Sequence, residues 1–249
     1  MSDVITALQA DPMDANKVHV FIDGKHALAV SLDVAASERL TVGQLCPPQR
    51  LEELLQAQEL DDIYQKAIAF LSYRPRSARE VEQRLRKKGF TPEQISAAMD
   101  RLRAQHYIDD HEFARFWVGN RMTFNPRGPR LLRSELRQKG VPSEIVEEVL
   151  QQQVETQEEL VQQAEELKVG DNPGEDEPVP GTDLANALAL ARKRLRTYGN
   201  LEPQAARRRL SGFLARRGYG FDVIDAVWRR VSTQDDEDED EGEHELFDD

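Results

Sequence analysis

Apolar and polar positions follow two different rhythms along this chain. Residues 17–30, KVHVFIDGKHALAV, hold two runs rich in β-formers on either side of Asp23-Gly24, a dipeptide that accepts the positive φ angles of a type I′ hairpin turn. VITALQA ahead of them offers a third strand, Pro47 and Pro48 close a loop, and QRLEELLQAQ reads as helix. From residue 61 the strand signals give way to helical spacing and the chain repeats itself. Aligned on a glycine preceded by basic residues, REVEQRLRKKGF, RLLRSELRQKGV and RRRLSGFLARRGY centre on Gly89, Gly140 and Gly218. In each copy apolar residues stand eight and four positions before the glycine: Val81 and Leu85, Leu132 and Leu136, Leu210 and Leu214. That spacing puts both on one helical face, and the glycine supplies the left-handed residue that ends the helix.

A second apolar series follows each glycine: Ile95, Met99 and Leu102; Ile145 and Val149; Val223 and Val227. The first opens on Thr91-Pro92-Glu93-Gln94, which combines an N-cap, a proline at N1 and a capping-box glutamine, with Phe90 and Ile95 spaced as a hydrophobic staple. A helix also precedes each aligned segment, over 62–71, 110–124 and 184–198; the second opens with a capping box from Asp109 to Glu112, stapled by Ile108 and Phe113. The repeating unit is three short helices. The predicted fold is mainly α, with three tandem three-helix modules behind a small N-terminal β-hairpin element. Residues 1–60 form the hairpin and helix extension, 61–106, 107–154 and 184–232 the modules, 155–183 an acidic insertion, and 233–249 an acidic tail. VETQEELVQQAEELKVG, at the start of the insertion, is expected to extend a helix into solvent, and DNPGEDEPVPGTD after it reads as a polar, proline-rich linker. The tail DDEDEDEGEHELFDD has too little apolar surface to offset its ordering entropy, so disorder is expected there.

Charge changes this picture. The net charge of −13 would repel nucleic acid, but residues 151–183 contribute −9 and residues 235–249 contribute −11, leaving the rest at +7. Residues 66–103 hold ten bases and four acids, and residues 184–230 hold eleven and three. Cys46 is the single cysteine, which excludes an intramolecular disulfide and a thiolate metal cage and fits a reducing compartment. The N-terminus lacks the basic and apolar regions of a signal peptide, and no run of 18 apolar residues occurs. A cytoplasmic protein with no membrane contact is expected.

AIAFLSYRPRSAREVEQRLRKKGF, continued by RLRAQHYIDDHEFARFWVGNR and GPRLLRSELRQKGV, resembles the RecX family over residues 60–232, and the N-terminal hairpin resembles the extension that many members carry. The resemblance implies an elongated, monomeric array of three-helix modules that is not an enzyme. It implies binding in the helical groove of RecA recombinase filaments and modulation, in the inhibitory direction, of their ATPase, strand-exchange and co-protease activities, hence a role in DNA repair, recombination and the SOS response. The acidic insertion before the third module and the acidic tail depart from the family pattern.

Basic residues recur at fixed places in the repeat. Ten positions before the glycine stand Arg79, Arg130 and Arg208; three before it stand Arg86 and Arg137, with Ala215 in the third copy. Seven residues is nearly two turns, so the two positions share a face turned away from the apolar one. Arg74, Arg76, Lys87, Lys88, Arg133, Lys139, Arg207, Arg209, Arg216 and Arg217 lie near them in sequence. A solvated helix face explains any one of these residues, whereas the charge excess of whole modules favours anion binding by the set. Arginine pairs with carboxylate and phosphate alike, so both an acidic protein surface and single-stranded DNA fit as partners. Tyr107, Phe113, Phe116, Trp117 and Trp228 fall at spacings expected of core residues.

No catalytic constellation emerges and no cofactor or metal is expected. The phosphate-binding G-x-x-x-x-G-K-[ST] loop is absent, and His19, His26, His106, His111 and His244 form no H-x-x-x-H pair. Asp109 and Asp110 could pair on a metal, but N-capping explains Asp109, and Cys46 beside two prolines reads as an ordinary loop residue. A helix-turn-helix type DNA-binding protein is the alternative to a filament regulator, since a three-helix module with a basic helix also suits a major-groove reader. Three similar modules suit an extended track better than one groove site.

Overall fold

The computed structural model describes residues 3–167, 178–198 and 201–243, with backbone alone at 167 and 233–243. The chain forms two compact units, Met1–Asp109 and Asp110–Asp249. In the first, β1 (Ile5–Ala10), β2 (Lys17–Ile22) and β3 (Lys25–Ser31) make an antiparallel sheet in sequence order. Asp23 and Gly24 have φ of +48° and +77°, the two left-handed residues that a type I′ turn requires. A short helix, α1 (Leu32–Ser37), follows under a Ser31 cap. Ile5, Val20, Leu28, Val30, Val34, Cys46 and Leu54 close this core. Cys46 is therefore a packed core residue, and its burial pushes the thiol pKa up.

Leu54 belongs to a helix that the sequence reading splits in two. α2 runs unbroken over Pro48–Leu71, across the expected boundary at residues 60 and 61. Its first half packs under the sheet, while Ile63, Tyr64 and Ala67 enter the next core with Val81 and Leu85 of α3 (Ala78–Lys87) and Ile95, Met99 and Leu102 of α4 (Pro92–Ala104). The Thr91–Gln94 capping box is formed in both directions. Gly89 ends α3 at φ +90°.

The second unit repeats the module twice. α5 (Asp110–Phe124), α6 (Pro129–Gln138) and α7 (Ser143–Leu167) surround Phe113, Val118, Leu132, Leu136, Val146, Val149 and Leu150. α8 (Asp183–Leu195), α9 (Pro203–Arg216) and α10 (Phe221–Glu243) surround Leu188, Leu210, Leu214, Tyr219, Ile224 and Val227. The second apolar series is shifted by one position in these copies: Val146 and Ile224 are buried, with Ile145 and Val223 only partly so. Ile108 joins the first module's core and Phe113 the second's. As the sequence implies, α7 continues into the acidic insertion, to Leu167. Residues 168–170 at the end of the expected helical extension, 171–177 of the expected linker and 244–249 of the expected disordered tail lie outside the described residues, and the backbone of α10 is helical to Glu243.

The third module is seated on the second by backbone contacts. α6 starts at Gly128 with no side-chain cap, and its open N–H groups find the carbonyls that end α9: Gly128 N donates to Arg217 O at 2.9 Å and Arg130 N to Gly218 O at 3.3 Å. Orphan donors of one helix thus meet orphan acceptors of another. An added Cβ on Gly128 would lie 2.4 Å from the carbonyl carbon of Gly218, and one on Gly218 2.5 Å from Leu131 N.

Candidate partner-binding face

In all three modules the apolar residues of the glycine-terminated helix point inward, and this turns the recurrent basic positions out. In the first module Arg79, Arg86, Lys87 and Lys88 are exposed, with no ion pair among the described residues. In the second unit Arg130, Arg208, Arg209 and Arg216 are also exposed and take part in none of the described ion pairs.

The other candidates have structural partners. Arg74 donates to Glu80 at 3.0 Å and to the Pro75 carbonyl at 2.8 Å, and Arg76 lies 3.7 Å over the Phe70 ring. Arg133 grips Glu147 through Nε and Nη2, both at 2.8 Å, and Arg137 reaches the same carboxylate at 3.0 Å. These bonds raise the Arg133 pKa and lower that of Glu147, with the Arg133–Glu147 hydrogen bond the main cause of both shifts. Lys139 sits 4.8 Å over Trp117, and Arg207 pairs with Asp225 at 3.2 Å. Arg217 donates to Asn125 and to the Pro126 carbonyl at 3.0 and 3.3 Å, so it fastens the third module to the end of α5.

Two polar clusters escape the sequence reading. Asp61 is 1% exposed and accepts from Arg101 at 2.7 Å, while the Arg101 guanidinium stacks 3.8 Å over Tyr64. Glu135 accepts from Trp117 Nε1 at 2.8 Å and Arg121 Nε at 2.9 Å, and also from Arg127. The sequence signal of the first is only an acid and an arginine 40 residues apart, and that of the second an acid with arginines 8 and 14 residues before it. Among the aromatics, Phe113 is buried and Trp117 and Trp228 are partly buried, but Tyr107 and Phe116 are exposed by 52% and 41%, against the core reading given to all five.

The second unit also contains a groove of about 1200 Å³ lined by Arg130, Val154, Val161, Asp183, Val223 and Arg230, among others. Desolvation lifts the Asp183 pKa to about 6, against a lowering by Gln157. Tyr219 is fully buried, its hydroxyl has no hydrogen-bond partner, and its pKa is pushed up chiefly by burial and then by Asp183.

Among the described residues, histidines and carboxylates pair without gathering into a larger cluster. His19 and His26 meet across the hairpin at 2.8 Å, and His19 also contacts Asp11 at 2.9 Å. His111 instead faces Glu148 at 3.2 Å. No group of three or more potential ligands suited to a metal occurs among the described residues. None of the described helices is long and apolar enough to cross a membrane.

The fold defines a class: a mainly helical protein of three three-helix modules behind a small N-terminal sheet, with exposed bases on the glycine-terminated helices. Family models described as the first, second and third three-helix domains of RecX match residues 64–102, 109–150 and 182–228. The chain belongs to the RecX family. It is 30% identical over 236 residues to regulatory protein RecX of Bacillus subtilis strain 168, covering 94% of this chain and 79% of that protein. The Bacillus licheniformis regulatory protein RecX is 28% identical over 233 residues, with the same two coverages. Among solved structures, a regulatory protein RecX superimposes with a TM-score of 0.71 over 90% of this chain and 98% of its own, at 22% identity. RecX from Lactobacillus salivarius gives 0.55 over 71% of this chain and 99% of its own, also at 22% identity.

Proposed function

We propose that this chain is a non-catalytic regulator that binds RecA-type recombinase filaments and restrains their ATPase, strand-exchange and co-protease activities. The observation that carries this reading is the match of all three modules to a family of proteins named as regulators. Unpaired bases on α3 and α9 supply a means of contact, because exposed guanidinium and ammonium groups that lack internal partners can pair with an anionic surface. Single-stranded DNA is a second possible ligand of the same bases. In the direct test, a RecA-type recombinase hydrolyses ATP on single-stranded DNA with increasing amounts of this protein. The protein alone is expected to give no turnover and to slow the recombinase at equal or lower molar amounts; an unchanged rate at saturation overturns the proposal. A pull-down from lysate with nuclease separates protein from nucleic-acid binding, since a recombinase partner is retained and a purely DNA-mediated one is lost.

A further inference from the structure

The turn between α2 and α3 holds more positive charge than its structure uses. Arg74 bonds both Glu80 and the Pro75 carbonyl, and Ser77 caps α3 by accepting from Glu80 N at 3.2 Å. Two more guanidiniums gather on the Phe70 ring, Arg76 at 3.7 Å and Arg84 at 5.5 Å from its centroid, and neither has an ion pair among the described residues. Arg76 Nε is buried with no hydrogen-bond partner. Burial and then the nearby Arg74 lower the Arg76 pKa, with Glu80 opposing and Arg84 reinforcing. A desolvated cation among like charges is held in an unfavourable electrostatic state that an incoming anion relieves. If packing on Phe70 were the only role, an apolar side chain would fill it without that penalty.

We propose that Arg76, recessed against Phe70, and the more exposed Arg84 beside it form a receptor for a carboxylate on an acidic protein partner. The inference rests on the filament-binding reading above and names the contact it would use. A guanidinium stacked on a ring with Nε buried offers only its outer Nη edge, which suits one oxyanion brought in laterally by a side chain. A nucleic-acid backbone presents evenly spaced, solvated phosphates and calls for outward-reaching cations. Arg79, Arg86 and Lys87 on α3, and Lys88 at its C-cap, are of that second kind.

The test follows the arginine Nε–Hε NMR signals of the full-length chain during titration with a hexaglutamate peptide and, separately, with a hexathymidylate oligonucleotide. The peptide is expected to move the Arg76 and Arg84 signals, and Arg76→Gln or Arg84→Gln to weaken its binding about tenfold, the loss of one charged hydrogen bond. The oligonucleotide is expected to move Arg79 and Arg86 and leave Arg76 and Arg84 in place. Signals of Arg76 and Arg84 that ignore the peptide, or respond equally to the oligonucleotide, overturn the receptor. If Arg76→Gln does not fold, Arg84→Gln decides, because it removes the more distant and more exposed guanidinium. Failure of the wild-type chain to sediment with recombinase filaments would overturn the proposed function, while the peptide titration would still decide the receptor.

Discussion

A carboxylate taken out of water resists ionisation, and Asp183 shows the consequence for stability. Its folded pKa of about 6 lies above the ordinary aspartate value of 3.8, so the folded state holds its proton more tightly than the unfolded chain does. Above pH 6 the fold carries the full penalty of an ionised Asp183; below 3.8 the penalty is gone. Asp183→Asn is therefore expected to stabilise the protein by about 3 kcal/mol at pH 7 to 8, since each pKa unit corresponds to 1.36 kcal/mol. Denaturant melts at several pH values check this: the gap between variant and parent should close as pH falls through 6, and a pH-independent gap would refute the assignment. The basic residues call for the opposite expectation. Arg79→Ala and Arg86→Ala should each change stability by no more than about 0.5 kcal/mol while weakening partner binding, whereas Leu85→Ala or Leu136→Ala opens a core cavity at roughly 2 to 5 kcal/mol. Thermal melts alongside filament binding separate the two classes. The repeat places all these residues correctly, yet it cannot show which arginines are engaged. Seven residues after the glycine stand Glu147 in the second copy and Asp225 in the third, and each holds an arginine; the first copy has Ser96 there, so Arg86 lacks the acid that its counterpart Arg137 finds in Glu147. Pairing is thus decided by a helix that the basic pattern does not include.

Helices are legible where local chemistry defines their ends and illegible where tertiary contacts do. Thr91, Pro92 and Gln94 announce α4, and the three glycines announce the ends of α3, α6 and α9. Asp61-Asp62 looks like a fresh helix start, but Asp61 is buried against Arg101 in the middle of α2, and a salt bridge forty residues distant in sequence leaves no local mark. The start of α6 is similar, because its cap comes from the backbone of another module. The repeated glycines are also unequal, although the sequence makes them look alike. Gly89 has φ +90° and open space around its would-be Cβ, so Gly89→Ala should lose only the left-handed backbone preference, about 1 to 2 kcal/mol. Gly218 combines φ +91° with backbone 2.5 Å away, so Gly218→Ala should destabilise further by pushing α9 off α6. Urea unfolding gives the two magnitudes. Limited proteolysis between α8 and α10 should speed up only for Gly218→Ala, and equal behaviour of the two variants would remove the backbone seat from the account.

At the scale of the whole molecule, the cores of the three modules follow from apolar spacing, whereas the relation between the basic modules and the acidic segments is a matter of charge. Eleven carboxylates fall within residues 235–249, beyond Val231, which belongs to the third module's core. A segment tethered to a surface of opposite sign is held at an effective concentration that can reach roughly the millimolar range. It then competes with any anionic partner for the unpaired bases. Salt weakens that competition, because the screening length is about 10 Å at 0.1 M. Deleting residues 235–249 is therefore expected to tighten binding to single-stranded DNA or to a recombinase filament, most strongly at low salt, and to leave the melting temperature unchanged because no described core residue is removed. Affinity measured against salt for full-length and truncated protein gives the decisive comparison, since each phosphate contact contributes about 0.7 to the log-log slope on single strands. A steeper slope for the truncated protein, with the two curves converging at high salt, identifies the tail as an internal competitor; superimposable curves would show that it leaves the basic faces untouched.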